Sequence, residues 1–318
     1  MSEIDNNLLV SVVVCSYNRL DTIFRAIESI LSQKRKFNIE VLVGDDGSSD
    51  GSREKLLELQ TRYPELIKLV FHEKNMGIGG NWATLVSMAK GKYVASCDDD
   101  DYWHYEDKLQ LQVDFLERNP EFGLVHTDYR TLNVNSNELI EVNLNNKDEN
   151  ISLIQSIFKG KYKILASSVL YRKELLDKYI PYDEYINYRF TIQDWPTWVI
   201  LSKYTKFYHL PISTVTYSIG VESITTFKTY ESVLKRFDSE KKMYKFLCDM
   251  FPEDIPFDEK GYDSYVNSIL LNQAIKQKDY PKANEFGKKI ENKSLKVLCS
   301  QNRILFWIYV LLKRIKNS

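Results

Sequence analysis

Short apolar runs alternate with amphipathic stretches through the first hundred residues. Three stretches show helical spacing. The first follows Asp21, a candidate N-cap, the second spans residues 51–63, and the third spans residues 81–90 and is followed by Gly91. Strand and helix in alternation predict right-handed crossovers and a doubly wound, mostly parallel α/β sheet flanked by helices. Four runs have the length and apolar content of strands buried in such a sheet: residues 9–14, 40–44, 66–71 and 92–97.

The pattern changes after residue 120. Residues 122–127 and 164–171 are typical of strands, residues 192–203 predict an amphipathic helix, and the Asn-rich stretch 132–150 predicts a flexible hairpin or loop. From about residue 227 only helices are expected, with 262–276 and 280–290 forming a helical hairpin. We therefore expect an α/β domain over residues 1–225 and a helical region over 226–318.

Charge and cysteine content narrow the class of protein. The 318 residues carry 43 Lys plus Arg and 44 Asp plus Glu, a net charge of -1, so no basic field attracts nucleic acid. Four cysteines lie far apart, which favours free thiols over a zinc site, and acidic residues stand where a secretory signal is basic. These features indicate a cytoplasmic protein.

The C-terminal stretch allows two interpretations. Residues 304–312 are continuously apolar, with Arg303 before them and Lys313, Arg314 and Lys316 after them. This pattern suits an interfacial helix that would place the protein at the inner face of a membrane. It equally suits a packed terminal helix whose basic end complements the helix dipole. No segment approaches the roughly 20 apolar residues that span a bilayer.

Polar clusters follow three of the predicted strands. Ligands bind beyond the carboxyl ends of strands in sheets of this kind, so the three loops should form one site. The first loop carries Ser16, Tyr17, Asn18 and Arg19, the second runs from Asp45 to Asp50, and the third is Asp98, Asp99, Asp100 and Asp101.

Four consecutive aspartates predict a divalent metal. Neighbouring carboxylates repel one another and raise one another's pKa, and a cation removes that conflict. Oxygen ligands suit Mg²⁺ or Mn²⁺, which bind through one or two carboxylates and add water and phosphate oxygens. A solvated acidic loop is the alternative, but the run lies between an apolar strand and the pair Tyr102 and Trp103. No GxGxxG or P-loop is present, so a metal would hold the phosphates.

Five segments together resemble glycosyltransferase family 2 in order and spacing. The resemblance spans about residues 8–220 and implies a GT-A fold, a nucleoside-diphosphate sugar donor (most often a UDP-sugar), Mn²⁺ or Mg²⁺, and inversion at the anomeric carbon. It also implies a nucleotide half up to about residue 105 and an acceptor half over 106–225. The segments are 11–19 (SVVVCSYNR), 40–50 (EVLVGDDGSSD), 75–77 (NMG), 91–103 (GKYVASCDDDDYW) and 193–195 (QDW).

The resemblance implies roles for the donor side. Cys15, Ser16, Tyr17 and Asn18 match the first nucleotide-binding loop, with Tyr17 beside the base. Asp46 matches a uracil-binding aspartate; the alternative for Asp45 and Asp46 is a simple Asp-Gly turn. Asp98, Asp99 and Asp100 occupy the DxD motif, with Asp99 toward the ribose and Asp100 on the metal. Asp101 is expected to shape the loop.

The resemblance also implies a catalytic base and an acceptor side. Asp194 matches the carboxylate that takes the acceptor's hydroxyl proton, although an N-cap is its alternative role. His126, Asp128 and Trp195 match the acceptor side. His126 is equally well explained as a structural histidine, and Trp103 and Trp198 beside the site as core residues.

Three positions depart from the family pattern. Gln193 replaces a frequent glutamate, Gly79 and Gly80 stand where an arginine is frequent, and Ser218 replaces a basic residue after Tyr217. Contacts to the diphosphate must then come from other residues or from the metal.

The sequence as a whole predicts an inverting sugar transferase. The acceptor would be a glycan or lipid-linked molecule in cell-surface polysaccharide or glycolipid synthesis, with peripheral membrane contact and a homo-oligomer as further expectations. A sugar nucleotidyltransferase is an alternative, but its Gly-rich, Lys-containing loop is missing. A nucleotide-sugar-binding protein that has lost transfer is another alternative, and it is compatible with the missing basic residues.

Overall fold

The computed structural model describes residues 8–146, 151–220, 229–291 and 294–316. By its contacts the chain divides into two compact units, Met1–Ser223 and Ile224–Ser318. The first unit holds a nine-stranded mixed sheet with flanking helices, and the second is helical. The predicted α/β class and the helical C-terminal region are thereby confirmed.

The predicted alternation of strands and helices is present in the first hundred residues. Strand β1 pairs in parallel with both β2 and β4, and β2 pairs in parallel with β3. Valines and isoleucines of β1 and β2 are buried because helices cover both faces of this sheet. The elements are β1 Leu8–Ser16, α1 Ile23–Leu31, β2 Asn38–Asp45, α2 Ser52–Arg62, β3 Ile67–Phe71, α3 Gly77–Met88 and β4 Tyr93–Ser96.

Two predicted helix starts are wrong. Helix α1 has Thr22 rather than Asp21 at its N-cap, and no side chain caps it. Helix α3 begins at Gly77 and not at residue 81, because the carboxylate of Asp46 accepts hydrogen bonds from the amides of Met76 and Gly77. That contact is 30 residues away in sequence, so helical periodicity could not predict it.

The second half of the sheet mixes strand directions. Strand β8 runs antiparallel to β4 and β6, β5 runs antiparallel to β9, and β6 pairs in parallel with β9. The strand order is β3-β2-β1-β4-β8-β6-β9-β5, with β7 paired to β6. The elements are β5 Tyr102–Trp103, α4 Lys108–Arg118, β6 Phe122–Asn133, β7 Glu138–Val142, α5 Leu153–Phe158, β8 Leu170–Arg172, α6 Lys173–Tyr179, α7 Tyr182–Asn187, α8 Asp194–Ser202 and β9 Lys206–Ile219.

The strand predicted at residues 164–171 is mostly absent. A 3-10 turn, Ala166–Ser168, replaces its centre, and β8 begins only at Leu170. The main-chain oxygens of Ser167 and Ser168 accept hydrogen bonds from Trp103 Nε1 and Gln112 Nε2, so side chains hold this turn. Strands β6 and β7 form the predicted hairpin, whose expected continuation at residues 147–150 lies outside the described residues.

The C-terminal unit is a set of helices with its own apolar core. The predicted pair of helices is present as α10 and α11, and Asp279 caps α11 by accepting from the amide of Lys282. Phe306 of α13 is buried in this core together with Leu271 and Phe286. The elements are α9 Tyr230–Met250, α10 Glu259–Gln277, α11 Tyr280–Lys288, α12 Leu295–Ser300 and α13 Arg303–Lys316.

Helix α13 has two faces. Phe306 packs inward with Tyr309 and Val310, whereas Ile304, Leu305, Trp307 and Ile308 are exposed. Within the described ranges, every helix is too short or too polar to cross a bilayer. The four cysteines are free thiols.

Candidate active site

The loops after β1, β2 and β4 meet at one edge of the sheet. The amide of Tyr17 donates to Asp99 Oδ2 at 3.2 Å, and the amide of Asn18 donates to Ser48 Oγ at 2.9 Å. Because β1 lies between β2 and β4, its loop contacts both of the others. The three polar clusters therefore form a single site, at the edge where the alternation of strands and helices predicted it.

The first loop is shaped by its backbone. Cys15 and Ser16 still belong to β1, and Ser16 is buried, whereas the ring of Tyr17 is half exposed at the edge of the site. Asn18 has a left-handed backbone, φ 52°, and its Oδ1 accepts from the amide of Ser49. The loop is thus tied to the second cluster while Tyr17 stays accessible.

The two aspartates after β2 have different partners. Asp45 is fully buried; its Oδ2 accepts from Arg53 Nε at 2.5 Å and from the amide of Ser48 at 3.2 Å. Asp46 accepts from the amides of Met76 and Gly77 at 2.7 and 2.9 Å. Asp45 therefore holds its own loop, and Asp46 joins that loop to the start of α3.

The acidic run is held by hydrogen bonds from three directions. Asp101 Oδ2 accepts from Ser167 Oγ at 2.6 Å, and Asp101 Oδ1 accepts from the amide of Ser218 at 3.2 Å. Ser167 Oγ also accepts from the amide of Asp98 at 3.0 Å. Asp101 is fully buried by these contacts, so its side chain is placed to fix the loop.

Arg19 is the cation beside the middle of the run. Its guanidinium lies 3.6 Å from Asp99 Oδ1 and 3.7 Å from Asp100 Oδ2. Asp100 keeps 21% of its side chain exposed, compared with 12% for Asp99. Asp100 is thus the more accessible of this pair of carboxylates.

Burial and mutual repulsion raise the pKa values of the run. Burial, with the negative charges of the neighbouring aspartates, raises the pKa of Asp98 far above its usual value and that of Asp101 to about 8. Burial and Asp100 raise the pKa of Asp99 to about 7, despite the opposing charge of Arg19. The site therefore carries more carboxylates than its arginines neutralise.

A divalent cation fits this charge balance. Carboxylate oxygens are the donors that Mg²⁺ and Mn²⁺ prefer, and Asp100 presents one at the surface of the run. Among the residues that the structure describes, no three His, Cys, Asp or Glu side chains are grouped so that they alone could hold a metal. A cation here would need further ligands from a bound molecule and from water.

Asp194 is the first residue of α8. The N-cap of this helix is Gln193 and not Asp194. Asp194 Oδ1 accepts from the amide of Trp195 at 2.6 Å, which fixes the carboxylate beside the helix. Burial raises the pKa of Asp194, and the negative charge of Asp194 contributes to the raised pKa of Asp98. The fold therefore brings two carboxylates that are 96 residues apart in sequence into one electrostatic environment.

His126 and Asp128 are buried and have protein partners. His126 Nε2 lies 3.1 Å from the hydroxyl of Tyr162, and its ring stacks on that of His209 at 5.0 Å. Asp128 Oδ1 lies 2.7 Å from His209 Nε2 and accepts from the amide of Leu144. Burial, followed by the charge of His209, lowers the pKa of His126 to about 3.

The three tryptophans near the site use their indole N–H groups inside the protein. Trp103 donates to the main-chain oxygen of Ser167, Trp198 to the hydroxyl of Tyr171, and Trp195 to the main-chain oxygen of Ile157. Trp103 and Trp198 are buried, whereas Trp195 is only half-buried. Trp195 is thus the tryptophan of the three with the most accessible surface.

Several residues at the site were missed by sequence reasoning. Arg25 contacts the main-chain oxygen of Asp100, Ser167 contacts Asp101, and Arg189 donates to the main-chain oxygen of Asn75. Arg189 has a left-handed backbone, φ 50°, next to Phe190, whose main-chain oxygen accepts from the amide of Gly79. In the sequence, only Gly79 and Gly80 indicated this close approach of the chain at Phe190. An added Cβ at Gly79 would lie 2.8 Å from the main-chain oxygen of Phe190.

Several relatives with similar sequence are named as glycosyltransferases. E. coli WfgD, a UDP-Glc:alpha-D-GlcNAc-diphosphoundecaprenol beta-1,3-glucosyltransferase, is 36% identical over 131 residues, which are 41% of this chain and 49% of WfgD. The matches to the curated relatives cover between 20% and 54% of those proteins.

Two solved structures share the fold. S. aureus TarS 1–349, in complex with UDP-GlcNAc, has a TM-score of 0.55 and 16% identity over 91% of this chain and 82% of that one. The mannosyltransferase PcManGT of Pyrobaculum calidifontis, in complex with GDP-Man and Mn²⁺, has a TM-score of 0.52 and 16% identity over 97% and 86%. These likenesses show a GT-A fold.

The sequence profile of "Glycosyl transferase family 2" matches residues 11–180, more than half of the chain. The matched segment contains the loops after β1, β2 and β4, including the whole acidic run. The chain therefore belongs to glycosyltransferase family 2.

Proposed function

We propose that this protein transfers a sugar from a nucleoside-diphosphate sugar to an acceptor hydroxyl with inversion at the anomeric carbon. The observation that carries the proposal is the convergence of the acidic run and Asp194 beside the loops after β1 and β2. A donor diphosphate requires a cationic site, and a direct displacement requires a base on the opposite side of the anomeric carbon. Both requirements can be met by residues of this one site.

The donor is a UDP-sugar in this proposal. Tyr17 offers a half-exposed ring for stacking on a base, and Asp46 offers carboxylate lone pairs beyond those used by Met76 and Gly77. Asp99 would face the ribose. The nucleotide pocket would be shaped by Cys15, Ser16, Asn18, Asp45 and Asp98. In this proposal about residues 1–105 bind the donor and residues 106–225 bind the acceptor. Residues 226–318 form the separate helical region.

Asp100 would hold Mn²⁺ or Mg²⁺ in this proposal. When bound, the cation would stabilise the negative charge on the departing diphosphate, so no acid need protonate that group. Arg19 already lies beside Asp99 and Asp100 and would add positive charge at the same end of the donor. This arrangement would provide cationic contacts in the absence of two basic residues frequent in the family: the arginine, where this chain has Gly79 and Gly80, and the residue replaced by Ser218.

Asp194 would act as the base. The amide of Trp195 holds its carboxylate, and burial raises its pKa, which increases the strength of the carboxylate as a proton acceptor. Asp194 would take the proton of the acceptor hydroxyl as that oxygen attacks the anomeric carbon. The acceptor side would include Trp195, His126 and Asp128.

The acceptor is a cell-surface glycan or a lipid-linked precursor in this proposal, and the protein would work at the cytoplasmic face of a membrane. The relative WfgD, whose name specifies a diphosphoundecaprenol-linked acceptor, supports this setting. The exposed apolar residues of α13 lie between Arg303 and the basic end of that helix, a pattern that suits an anionic lipid surface.

Vesicle sedimentation tests membrane contact. Trp307→Ser should reduce binding to phosphatidylglycerol vesicles, whereas Leu57→Ser, at a comparably exposed site on α2, should not. Equal binding by both variants and the wild type would remove α13 from the proposal.

A panel of nucleotide-sugars with and without Mn²⁺ tests the main proposal. We expect metal-dependent stabilisation by UDP-sugars in thermal unfolding, since a ligand at 100 times its dissociation constant adds about 2.7 kcal/mol. Release of UDP from the stabilising donor, with an added glycan acceptor, then tests transfer. Stabilisation without UDP release under any acceptor would instead support a binding protein, and no stabilisation by any nucleotide-sugar would overturn the proposal.

A further inference from the structure

Arg25 contacts the main chain of the acidic run, not its carboxylates. Its Nη2 donates to the main-chain oxygen of Asp100 at 3.0 Å and lies 3.1 Å from Ser218 Oγ. Ser218 Oγ donates to the same oxygen of Asp100 at 2.7 Å. Two side chains, one from α1 and one from β9, therefore hold a single carbonyl group of the run.

The guanidinium of Arg25 is itself fixed. It lies over the ring of Tyr102 at 4.5 Å from the ring centre, and Tyr102 belongs to β5, which pairs with β9 at Thr216. A planar guanidinium that stacks on an aromatic ring has a defined orientation, which an ammonium group lacks, and the stacking directs Nη2 of Arg25 toward both of its acceptors. Helix α1, the acidic run and the β5–β9 pair thus meet at one side chain.

The contact with the carbonyl group of Asp100 also restricts the orientation of the Asp100 carboxylate. Asp101, the next residue, is also anchored to Ser218, through the amide of Ser218. With the carbonyl of Asp100 and the side chain of Asp101 both held, the backbone at Asp100 has little freedom to rotate. The direction in which the carboxylate of Asp100 points is therefore constrained by contacts to its own carbonyl group and to Asp101.

We propose that Arg25 is a positioning residue for binding of the donor diphosphate and its metal, acting through the backbone of Asp100 together with Ser218. The inference rests on the proposed function, because it needs Asp100 to bind a cation. It adds a residue that lies on α1, outside the three loops of the site, and it assigns Ser218 a role in place of the missing basic residue.

Calorimetric titration of the full chain tests this proposal. The experiment compares the wild type with three variants: Arg25→Met, Arg25→Lys and Ser218→Ala. The control is Arg62→Met, because the guanidinium of Arg62 stacks on Phe24 and Tyr63 away from the acidic run. The ligands are UDP with Mn²⁺ and uridine, which has the base and ribose but no phosphate. Thermal unfolding of every variant is recorded alongside.

Arg25→Met should weaken Mn²⁺-dependent UDP binding about tenfold or more, since a hydrogen bond from a charged donor is lost. Arg25→Lys keeps the charge but loses the planar stacking on Tyr102 that orients the donor, so its affinity should fall between those of Arg25→Met and the wild type. Affinity for uridine should stay within about twofold of the wild-type value, a change of about 0.4 kcal/mol. Arg62→Met should bind both ligands as the wild type does.

Equal losses for UDP and uridine would overturn the proposal, because a purely structural role of Arg25 would disturb the whole nucleotide site. Unchanged UDP binding would overturn it too. If Arg25→Met does not fold, Ser218→Ala decides, with a loss of about threefold to tenfold for UDP alone. Wild-type protein that shows no metal-dependent UDP binding would instead overturn the proposed function, and this inference with it.

Discussion

Ser167 Oγ donates a 2.6 Å hydrogen bond to Asp101 Oδ2 and accepts one from the amide of Asp98. One hydroxyl thus links both ends of the acidic run to the 3-10 turn between α5 and β8. Asp101 belongs to that internal network, and Asp100, between the two anchored residues, keeps the more exposed carboxylate. The four aspartates therefore differ in environment because the turn at Ser167 binds the side chain of Asp101 and the amide of Asp98 but leaves the carboxylate of Asp100 partly exposed.

Ser167→Ala should destabilise the protein by about 1–3 kcal/mol, because a buried carboxyl and a buried amide each lose a partner. It should also weaken metal-dependent UDP binding. Urea unfolding and calorimetry measure the two effects. Ser168→Ala is the matched control, since the hydroxyl of Ser168 donates only to the main-chain oxygen of Leu165 in its own turn. Equal effects of the two substitutions would contradict this role for Ser167.

Asp194→Asn should lower the rate of sugar transfer by a factor of about 10²–10⁴, the usual contribution of a general base. The asparagine can still accept from the amide of Trp195, so the start of α8 should keep its geometry. UDP and metal affinity should therefore remain near the wild-type value. The measurement is UDP release at saturating donor and acceptor, with Asp183→Asn on the exposed face of α7 as the control. Equal rates for Asp194→Asn and the wild type would exclude Asp194 as the base.

His126 should make stability depend on pH. Burial lowers its pKa in the folded protein to about 3, while in the unfolded chain it titrates near 6.5. Between these values the unfolded chain binds a proton that the folded protein does not, so acidification favours unfolding by about 1.4 kcal/mol per pH unit from this group.

The test compares wild type and His126→Gln in urea unfolding between pH 7 and pH 5. Wild-type stability should fall relative to the variant as the pH drops below about 6.5. Subtracting the two curves removes the titration of the aspartates, which both proteins share. A constant difference across the range would show that His126 does not remain neutral when folded.

Gly44→Ala should destabilise the end of β2. An added Cβ would overlap Asn81 Oδ1 and lie 3.0 Å from Leu85 Cδ1, and Asn81 Nδ2 donates to the main-chain oxygen of Gly44. Overpacking at a buried site costs about 1–3 kcal/mol in unfolding free energy. Because Asp45 and Asp46 follow directly, UDP affinity should fall as well.

Combining Gly44→Ala with Asn81→Ala removes the atoms that clash. The second substitution should therefore destabilise the Gly44→Ala protein less than it destabilises the wild type, as a double-mutant cycle in thermal unfolding would measure. Additive losses would indicate that the two residues do not interfere.

Local sequence patterns were sufficient to predict the first half of the sheet and the edge at which its polar loops meet. Strands β1 to β4 are short, apolar and separated by helical spacing, and both signals are local, so the polar loops at their carboxyl ends could be assigned together. Family membership was likewise carried by motifs that lie within single loops, such as residues 98–101.

The different environments of the individual aspartates depend on contacts between segments that are distant in sequence. The partners of Asp46, Asp100 and Asp101 come from α3, α1, β9 and the turn at Ser167, which lie from 30 to 118 residues away. The antiparallel strand β8 and the turn before it could not be predicted, because long-range hydrogen bonds rather than local propensity hold them. Sequence pattern fixed where the carboxylates gather, and contacts between distant segments decided which of them stays free to bind.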